Sequence, residues 1–532
     1  MKILFGALHH GYYRNLESVV DELARRGHEI FLGSERAAVF GGDAFADRLA
    51  ASHPNVVPGT IPTREPESLF LASKIRLGFD YLRYLEPMYN GSSGLRPRAQ
   101  VRTPTGVVRL SRSPLMALPA ARRAVGRALD AIDRAVPPSP AIERFLDEVR
   151  PDLVIVTPLI GLVASSQLDL LRSAIARGLP TAVFVWSWDH LSSKAIIRDD
   201  VDGLFVWNEA QKREAMEMHG VPASRIIVTG AHCYDQWFAR KPSRSRAEFV
   251  RDAGLPDERP YLLWACSALL PGSPSEPNVV MEWAARVRHS TDPRVRDAAI
   301  LIRPHPSRLS DWDGVDWRQF GNISMFGAQP INDQAKADYF DSLYYSGAVV
   351  GITTSAFIEA AVLGRPVMTY YREDLKQEHE GSLHFQHLLD PKHGLLVAAA
   401  SLAEHERQLA AMLAGPPPEI STRTSNFVRA FVRPNGLEAS ATGIAVDALE
   451  RLALRPRPAP VRQPSTVARK GLSLVAALER HPRWRSFLLD EREAEASARQ
   501  QGKEWLKGQA LERKKKLRDE KARRAGGKPS RA

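Results

Sequence analysis

The sequence counts 532 residues with 44% hydrophobic and 25% charged side chains, a globular balance that excludes wholesale disorder, collagen-like repeats and a membrane-spanning bundle. Its net charge of +12 is uneven: residues 451–532 carry 23 Lys/Arg against 9 Asp/Glu, a net of +14, leaving 50 against 52, a net of −2, for residues 1–450. A neutral body needs no polyanionic partner, so nucleic acid is disfavoured, whereas the basic end suits an anionic surface.

The opening predicts strand, loop and helix: an apolar run from Ile3 to Leu8, a loop from His9 to Arg14, and helical spacing of Leu16, Val19, Val20 and Leu23 up to Gly27. His28 to Leu32 is the next strand, which makes a Rossmann-like β-α-β start. Residues 58–140, with scattered Pro, Arg and Gly and a helix over Leu69 to Tyr84, read as an insertion over that domain. Alternation resumes with strands at 152–157, 181–186, 203–207 and 225–229 and helices at 168–177 and 209–219, the second capped by Asn208. Lys241 to Arg246 reads as a linker. The pattern then restarts with strands at 261–266, 299–303, 323–326, 348–352 and 366–371 and helices at 279–287, 336–345 and 355–363. This alternation predicts an α/β protein of two doubly wound domains, 1–240 and 250–450. Residues 451–532 form the third part: a stiff Arg/Pro linker over 455–460, amphipathic helices, and a disordered end. Leu472, Val475 and Leu478 share one helical face there, and Trp484, Phe487 and Leu488 another, ahead of Trp505 and Lys514 to Lys516.

Cys233 and Cys266 lie far apart, which argues against a disulfide framework and for a reducing cytoplasm. The first apolar run is too short for a signal peptide, and no stretch reaches the ~18 apolar residues of a spanning helix.

Three segments at strand ends carry candidate chemistry. Thr353-Thr354-Ser355, followed by Glu359, places hydroxyls where a strand turns into a helix, a setting suited to a diphosphate. Arg303-Pro304-His305-Pro306 is a stiff turn that aims two phosphate-binding side chains out of a strand's carboxyl end. His9-His10-Gly11 offers a general base, His9 or His10, beside a glycine that admits a ligand to the backbone. Hydroxyl caps, a rigid turn and structural histidines are the plain alternatives for these three. Trp186 to Lys194 is aromatic and polar, so Trp188, Asp189 and Lys194 are candidates to stack and hydrogen-bond an acceptor, with interdomain packing the competing reading. His379, His384 and His387 match no helical zinc spacing and read as loop contacts with a weak ligand alternative, and Asp311-Trp312-Asp313 reads as a surface loop. No G-x-G-x-x-G follows the first strand, and Walker A, H-E-x-x-H and G-x-S-x-G are absent, which disfavours dinucleotide oxidoreductases, NTPases, zincins and serine hydrolases.

Taken together, the two Rossmann-like halves, the His9-His10-Gly11 loop, the Arg303-Pro304-His305-Pro306 turn and the Thr353-to-Glu359 segment resemble glycosyltransferases of the GT-B fold. The closest likeness is to bacterial enzymes of surface-polysaccharide and teichoic-acid synthesis, including the CDP-glycerol glycerophosphotransferase group. The resemblance implies a metal-independent transferase without a cofactor, whose donor is a nucleotide sugar or CDP-glycerol-like molecule. Its acceptor would be a hydroxyl of a glycan or lipid-linked chain. Arg303, Thr353, Thr354, Ser355 and Glu359 would hold the donor, His305 would act at the leaving phosphate, and His9 or His10 would be the base, with Gly11 and the Trp188 loop on the acceptor. It also implies a cytoplasmic protein, peripheral on the inner face of the cell membrane through 451–532 unless those helices pack back on the body. The related UDP-N-acetylglucosamine 2-epimerases carry a glycine pair and paired glutamates in the equivalent segment; Ala356-Phe357 and Ala360 stand there instead, which disfavours that isomerase. A non-catalytic scaffold with a basic tail for membrane or nucleic acid is the remaining alternative.

Overall fold

The computed structural model describes residues 1–36, 42–92, 94–159, 164–256, 259–269, 273–327, 329–330, 332–379, 381–390, 393–455 and 465–481. Most of the expected Arg/Pro linker, along with Trp484, Phe487, Leu488, Trp505, Lys514 to Lys516 and the expected disordered end, lies outside these residues. The chain divides into two compact units, Met1–Arg102 with Val136–Pro464, and Thr103–Ala135 with Ser465–Ala532.

The first unit holds two parallel sheets. One runs β3-β2-β1-β4-β5-β6-β7, built from β1 (Lys2–Ala7), β2 (Glu29–Ser34), β3 (Val56–Thr60), β4 (Leu153–Val156), β5 (Thr181–Phe184), β6 (Gly203–Val206) and β7 (Ile226–Val228). The other runs β10-β9-β8-β11-β12-β13, from β8 (Tyr261–Ala265), β9 (Ala299–Arg303), β10 (Ile323–Met325), β11 (Ala348–Val350), β12 (Val367–Tyr370) and β13 (Leu396–Ala399). These are the two doubly wound α/β layers of a GT-B-like architecture. Strands such as Leu153–Val156 and Tyr261–Ala265 are buried along their whole length, as helices on both faces of a parallel sheet demand. Strand order reverses between β1 and β4 in one sheet and between β8 and β11 in the other, which opens a crevice at the carboxyl ends of those strands.

Two strands have no counterpart among the predicted ones. Pro58 and Gly59 disguise β3, and its place at the sheet edge tolerates a proline that a central strand would not. β13 is a four-residue edge strand inside the apolar run Leu395 to Ala400, whose alanines read as helix as readily as strand. The segment predicted as a loop from His9 to Arg14 is mostly a 3-10 turn, His10–Leu16. Asn208 caps its helix as expected, accepting the Gln211 N–H at 2.9 Å. The stretch read as a linker, Lys241 to Arg246, is pinned: Ser243 Oγ donates to Asp341 at 2.6 Å, and Arg244 pairs with Asp252 at 3.0 Å and with Asp338.

Helix Ala441–Ala453 departs from the expected layout, which groups it with the second domain. Ala445, Val446, Leu449 and Leu452 pack into the core of the first sheet with Ile3, Phe5 and Val19. Arg26 reinforces this return with ion pairs to Asp447 at 2.7 Å and Glu450 at 2.9 Å.

The second unit contains helices Thr105–Ser111, Pro119–Arg134 and Thr466–Arg480 with a 3-10 turn at Pro114–Ala117. Gly471 lies so close to Ile132 that an added Cβ would sit 3.3 Å from it, and Leu472, Val475 and Leu478 are half-buried while Leu474 stays exposed. The predicted face of this helix therefore has a protein partner. Among the described residues no helix is long and apolar enough to cross a membrane.

Candidate functional site

The crevice of the second sheet is built by strand ends that hydrogen bonding places side by side. Ala265, the last residue of β8, is in register with Arg303, the last of β9, and the loops beyond them diverge around a cavity of about 370 Å³. Ser267, Ser273, Glu276, His305, Arg308 and Asp311 contribute to its wall. The segment read as a surface loop thus turns inward in part, since Trp312 also lines this cavity and is buried.

His305 occupies the cavity with a defined tautomer. Its Nδ1 accepts the Ser307 N–H at 3.2 Å and the Ser307 hydroxyl at 2.8 Å, so the proton of the neutral ring resides on Nε2. Burial lowers its pKa, and the Arg308 and Arg14 charges lower it further. The same cavity is lined by Glu276, whose carboxyl accepts the Ser267 N–H at 2.8 Å and the Trp264 indole N–H at 3.3 Å. Burial nonetheless pushes its pKa up to about 8, with Glu378 and Asp311 raising it further, so at neutral pH Glu276 itself does not repel an anion.

Arg303 is buried with its guanidinium carbon 4.5 Å from the Tyr339 ring centroid. Tyr339 donates its hydroxyl to Glu359, whose pKa burial raises to about 7 against the opposing pull of Tyr339, Arg14 and Arg303. Arg14 comes from the first sheet's 3-10 turn. Its side chain keeps solvent contact yet is surrounded deeply enough for desolvation to lower its pKa, as befits a crevice, with Glu359, Tyr339 and Glu17 opposing. Glu17 in turn pairs with Arg48 at 2.9 Å and with Lys336 at 2.8 Å, which ties the first sheet's loops to helix Asp333–Tyr344.

The hydroxyl segment adjoins this group without forming the cradle the sequence suggests. The Thr353 N–H donates to Ser267 Oγ at 3.2 Å, Thr354 Oγ1 turns back to accept the Ala356 N–H at 3.3 Å, and Ser355 is exposed without a capping bond. The helix that follows, Ala356–Val362, has only seven residues.

On the first sheet, His10 is committed. Its Nε2 donates to the Leu32 carbonyl at 3.0 Å and its Nδ1 faces Asp43 at 2.8 Å, so the ring presents no free lone pair for a base. His9 stacks on Tyr12 with centroids 4.3 Å apart, and its Nδ1 is buried without a hydrogen-bond partner. Burial lowers the His9 pKa against the pull of Asp43, which keeps it in the neutral form that proton acceptance needs. Gly11 lies in the 3-10 turn that also carries Arg14.

The Trp188 loop is a correction. Trp188 is buried in a cluster with Trp207 and Tyr234, its ring edge-on to His384 at 4.7 Å. Asp189 accepts the Ser187 and Ser193 hydroxyls at 2.6 and 2.8 Å and pairs with Lys194 at 3.2 Å. Burial by itself would raise the Asp189 pKa, but Lys194, His384 and the two hydroxyls hold it well below the usual carboxylate range. A packing junction and a sugar platform use the same residue types, and here the side chains are spent on one another.

His379, His384 and His387 go to three separate acceptors or donors: the Ile352 carbonyl, the Ser192 hydroxyl and the Glu214 carboxylate. Arg14, Tyr339, Glu276 and Ser267 are site residues that sequence reasoning misses. Each lies on an element whose local pattern reads as ordinary loop or helix, and only the tertiary meeting of strand ends marks it.

No family model matches this chain, and no curated protein matches it. Solved structures resemble it at low identity. A UDP-GlcNAc 2-epimerase from Neisseria meningitidis, bound to UDP-GlcNAc, is 11% identical with a TM-score of 0.47, over 85% of this chain and 100% of that one. A glycosyltransferase from Rickettsia africae ESF-5 is 9% identical with a TM-score of 0.49, over 86% and 99%. WaaG, a glycosyltransferase involved in lipopolysaccharide biosynthesis, is 11% identical with a TM-score of 0.45, over 84% and 99%. At these values the fold is carried by the strand order itself, and function by the chemistry of the site.

Proposed function

We propose that this protein is a transferase that moves a group from a nucleotide-activated donor, a nucleotide sugar or a CDP-glycerol-like molecule, to a hydroxyl of a glycan or lipid-linked acceptor of surface-polysaccharide assembly. One observation carries the reading: a cavity of about 370 Å³ at the carboxyl ends of β8 and β9 whose wall presents the His305 Nε2–H and Arg308, with Arg303 beside it. A departing diphosphate accumulates negative charge, and fixed donors and cations placed before the reaction stabilise that charge most. His305 donates to the leaving phosphate, Arg303 and Arg308 offset its charge, and Arg14 approaches from the first sheet. The acceptor hydroxyl must lose its proton on attack, and His9 is the histidine of the first loop with a nitrogen left for that task. Thr353, Thr354, Ser355 and Glu359 border the donor side, Glu359 as a polar-network residue held by Tyr339.

Calorimetry with UDP, dTDP, GDP and CDP tests the reading first. One diphosphate should bind, and His305→Ala and Arg303→Ala should weaken it while the melting curve stays cooperative. Transfer from the matching donor should persist in EDTA and vanish in both variants. Wild-type turnover in either variant removes the site, and binding of no nucleotide leaves the scaffold reading.

A further inference from the structure

The second unit carries a surface that the transferase chemistry does not use. Between Glu86 and Asp130 the sequence has eight arginines and no acidic residue, and the middle of that stretch folds into a helix–turn–helix tip. Helix Thr105–Ser111 ends at Arg109, Leu110 and Ser111, the 3-10 turn Pro114–Ala117 follows, and helix Pro119–Arg134 leads away. Three leucines point outward from the tip: Leu110 is 37% exposed, Leu115 55% and Leu118 57%. Arg109, Arg112 and Arg123 are exposed around them.

This display is held in place. Pro114 and Pro119 each occupy the start of a helical turn, where a fixed φ pre-sets the backbone. Met116 is buried between the two outward leucines of the turn. Arg122, itself buried, donates to the carbonyls of Met116 and Ala117 at 3.0 Å each, and Ser111 Oγ donates to the Val108 carbonyl at 2.6 Å. A turn fixed from within by a buried arginine, while its leucines face solvent, gives up the burial those side chains would gain in a core.

We infer that the tip from Arg109 to Arg123 docks on an anionic lipid surface, with Leu110, Leu115 and Leu118 entering the headgroup region and Arg109, Arg112 and Arg123 meeting lipid phosphates. Charge complementarity selects this occupant: arginines ring an apolar centre, the arrangement that an interfacial segment needs. A nucleic-acid backbone would satisfy the arginines and leave the leucines in water. A second copy of the chain would bring arginine against arginine.

Co-sedimentation of the full-length protein with vesicles of equal parts phosphatidylcholine and phosphatidylglycerol tests this. Binding should exceed that to pure phosphatidylcholine, fall as salt rises, and drop by about tenfold or more in Leu110→Ser/Leu115→Ser/Leu118→Ser. If that triple variant fails to fold, Arg112→Gln/Arg123→Gln, which alters only exposed side chains, should still weaken binding by about tenfold. Unchanged vesicle binding in a folded variant assigns the surface to the basic residues beyond 481 and overturns the inference. Absence of binding by the wild type overturns it as well, and if sizing then shows an oligomer that the triple variant loses, a second copy is the occupant.

Discussion

Glu276 and Glu359 are carboxyls whose protons the fold retains, up to about pH 8 and about 7, because burial penalises their charged forms. The unfolded chain releases the same protons near 4.5. These two carboxyls destabilise the fold as pH rises from about 4.5 toward 8, but the buried histidines His190, His219, His232, His379, His384 and His405, which burial holds neutral down to about 3 to 4, outweigh them below 6.5, so the net decline falls between about pH 6.5 and 8. Glu276 is the more deeply buried of the two and carries the larger share. Thermal melts between about pH 6.5 and 8 should show the decline, and Glu276→Gln should flatten it. The same variant should abolish a loss of nucleotide affinity above about pH 8, where Glu276 ionises. A second residue-scale expectation concerns Arg303→Lys. An ammonium keeps the charge but not the planar face that lies over Tyr339, so calorimetry should show nucleotide binding weakened by roughly 1–2 kcal/mol, and not restored to the wild-type value.

At the scale of elements, strand ends approach each other at the β8–β11 reversal with no room for a side chain. A Cβ on Gly351 would sit 2.7 Å from the Ala265 carbonyl oxygen, which is backbone and cannot swing aside. Gly351→Ala should therefore lower the melting temperature by several degrees, consistent with an overpacking cost of about 1–3 kcal/mol. Cutting the chain after Leu454 removes helix Thr466–Arg480 and so strips helix Pro119–Arg134 of the partner that Gly471 admits, which makes such a truncation more than the loss of a basic end. Strands were legible where they are central and continuously apolar: Ala299–Arg303 matches its prediction to the residue, and Asn208 announces its helix. Of the four edge strands, β7 and β10 were legible too, whereas β3 was not, because Pro58 and Gly59 imitate a turn, nor was β13. Of the site, Arg303 and His305 were legible because prolines stiffen their turn at a strand end. Arg14 and Tyr339 were not, since they become neighbours only when loops of two sheets meet, and periodicity records nothing of that.

For the whole molecule, the charge imbalance resolves into separate regions: residues 1–86 and 130–450, with 42 Lys/Arg against 52 Asp/Glu, a stretch from 87 to 129 that has eight arginines but no acids, and the basic residues that follow 451. Helix Ala441–Ala453 is the element that makes the two sheets interdependent. Leu449 is fully buried against the first sheet, and Leu449→Ala should cost about 2–5 kcal/mol in a denaturant titration. Residues 1–240 expressed alone should lack a sharp thermal transition, and fusing residues 441–453 to them should restore one. A ribosome delivers this chain from its first strand onward. Since Ile3 and Phe5 receive part of their cover from side chains about 440 positions later, the earliest sheet to emerge is among the last to be sealed. The part of its apolar face that Ala445 to Leu452 cover stays open through synthesis of the entire second sheet, a long interval in which a chaperone, or misassociation, has access to it.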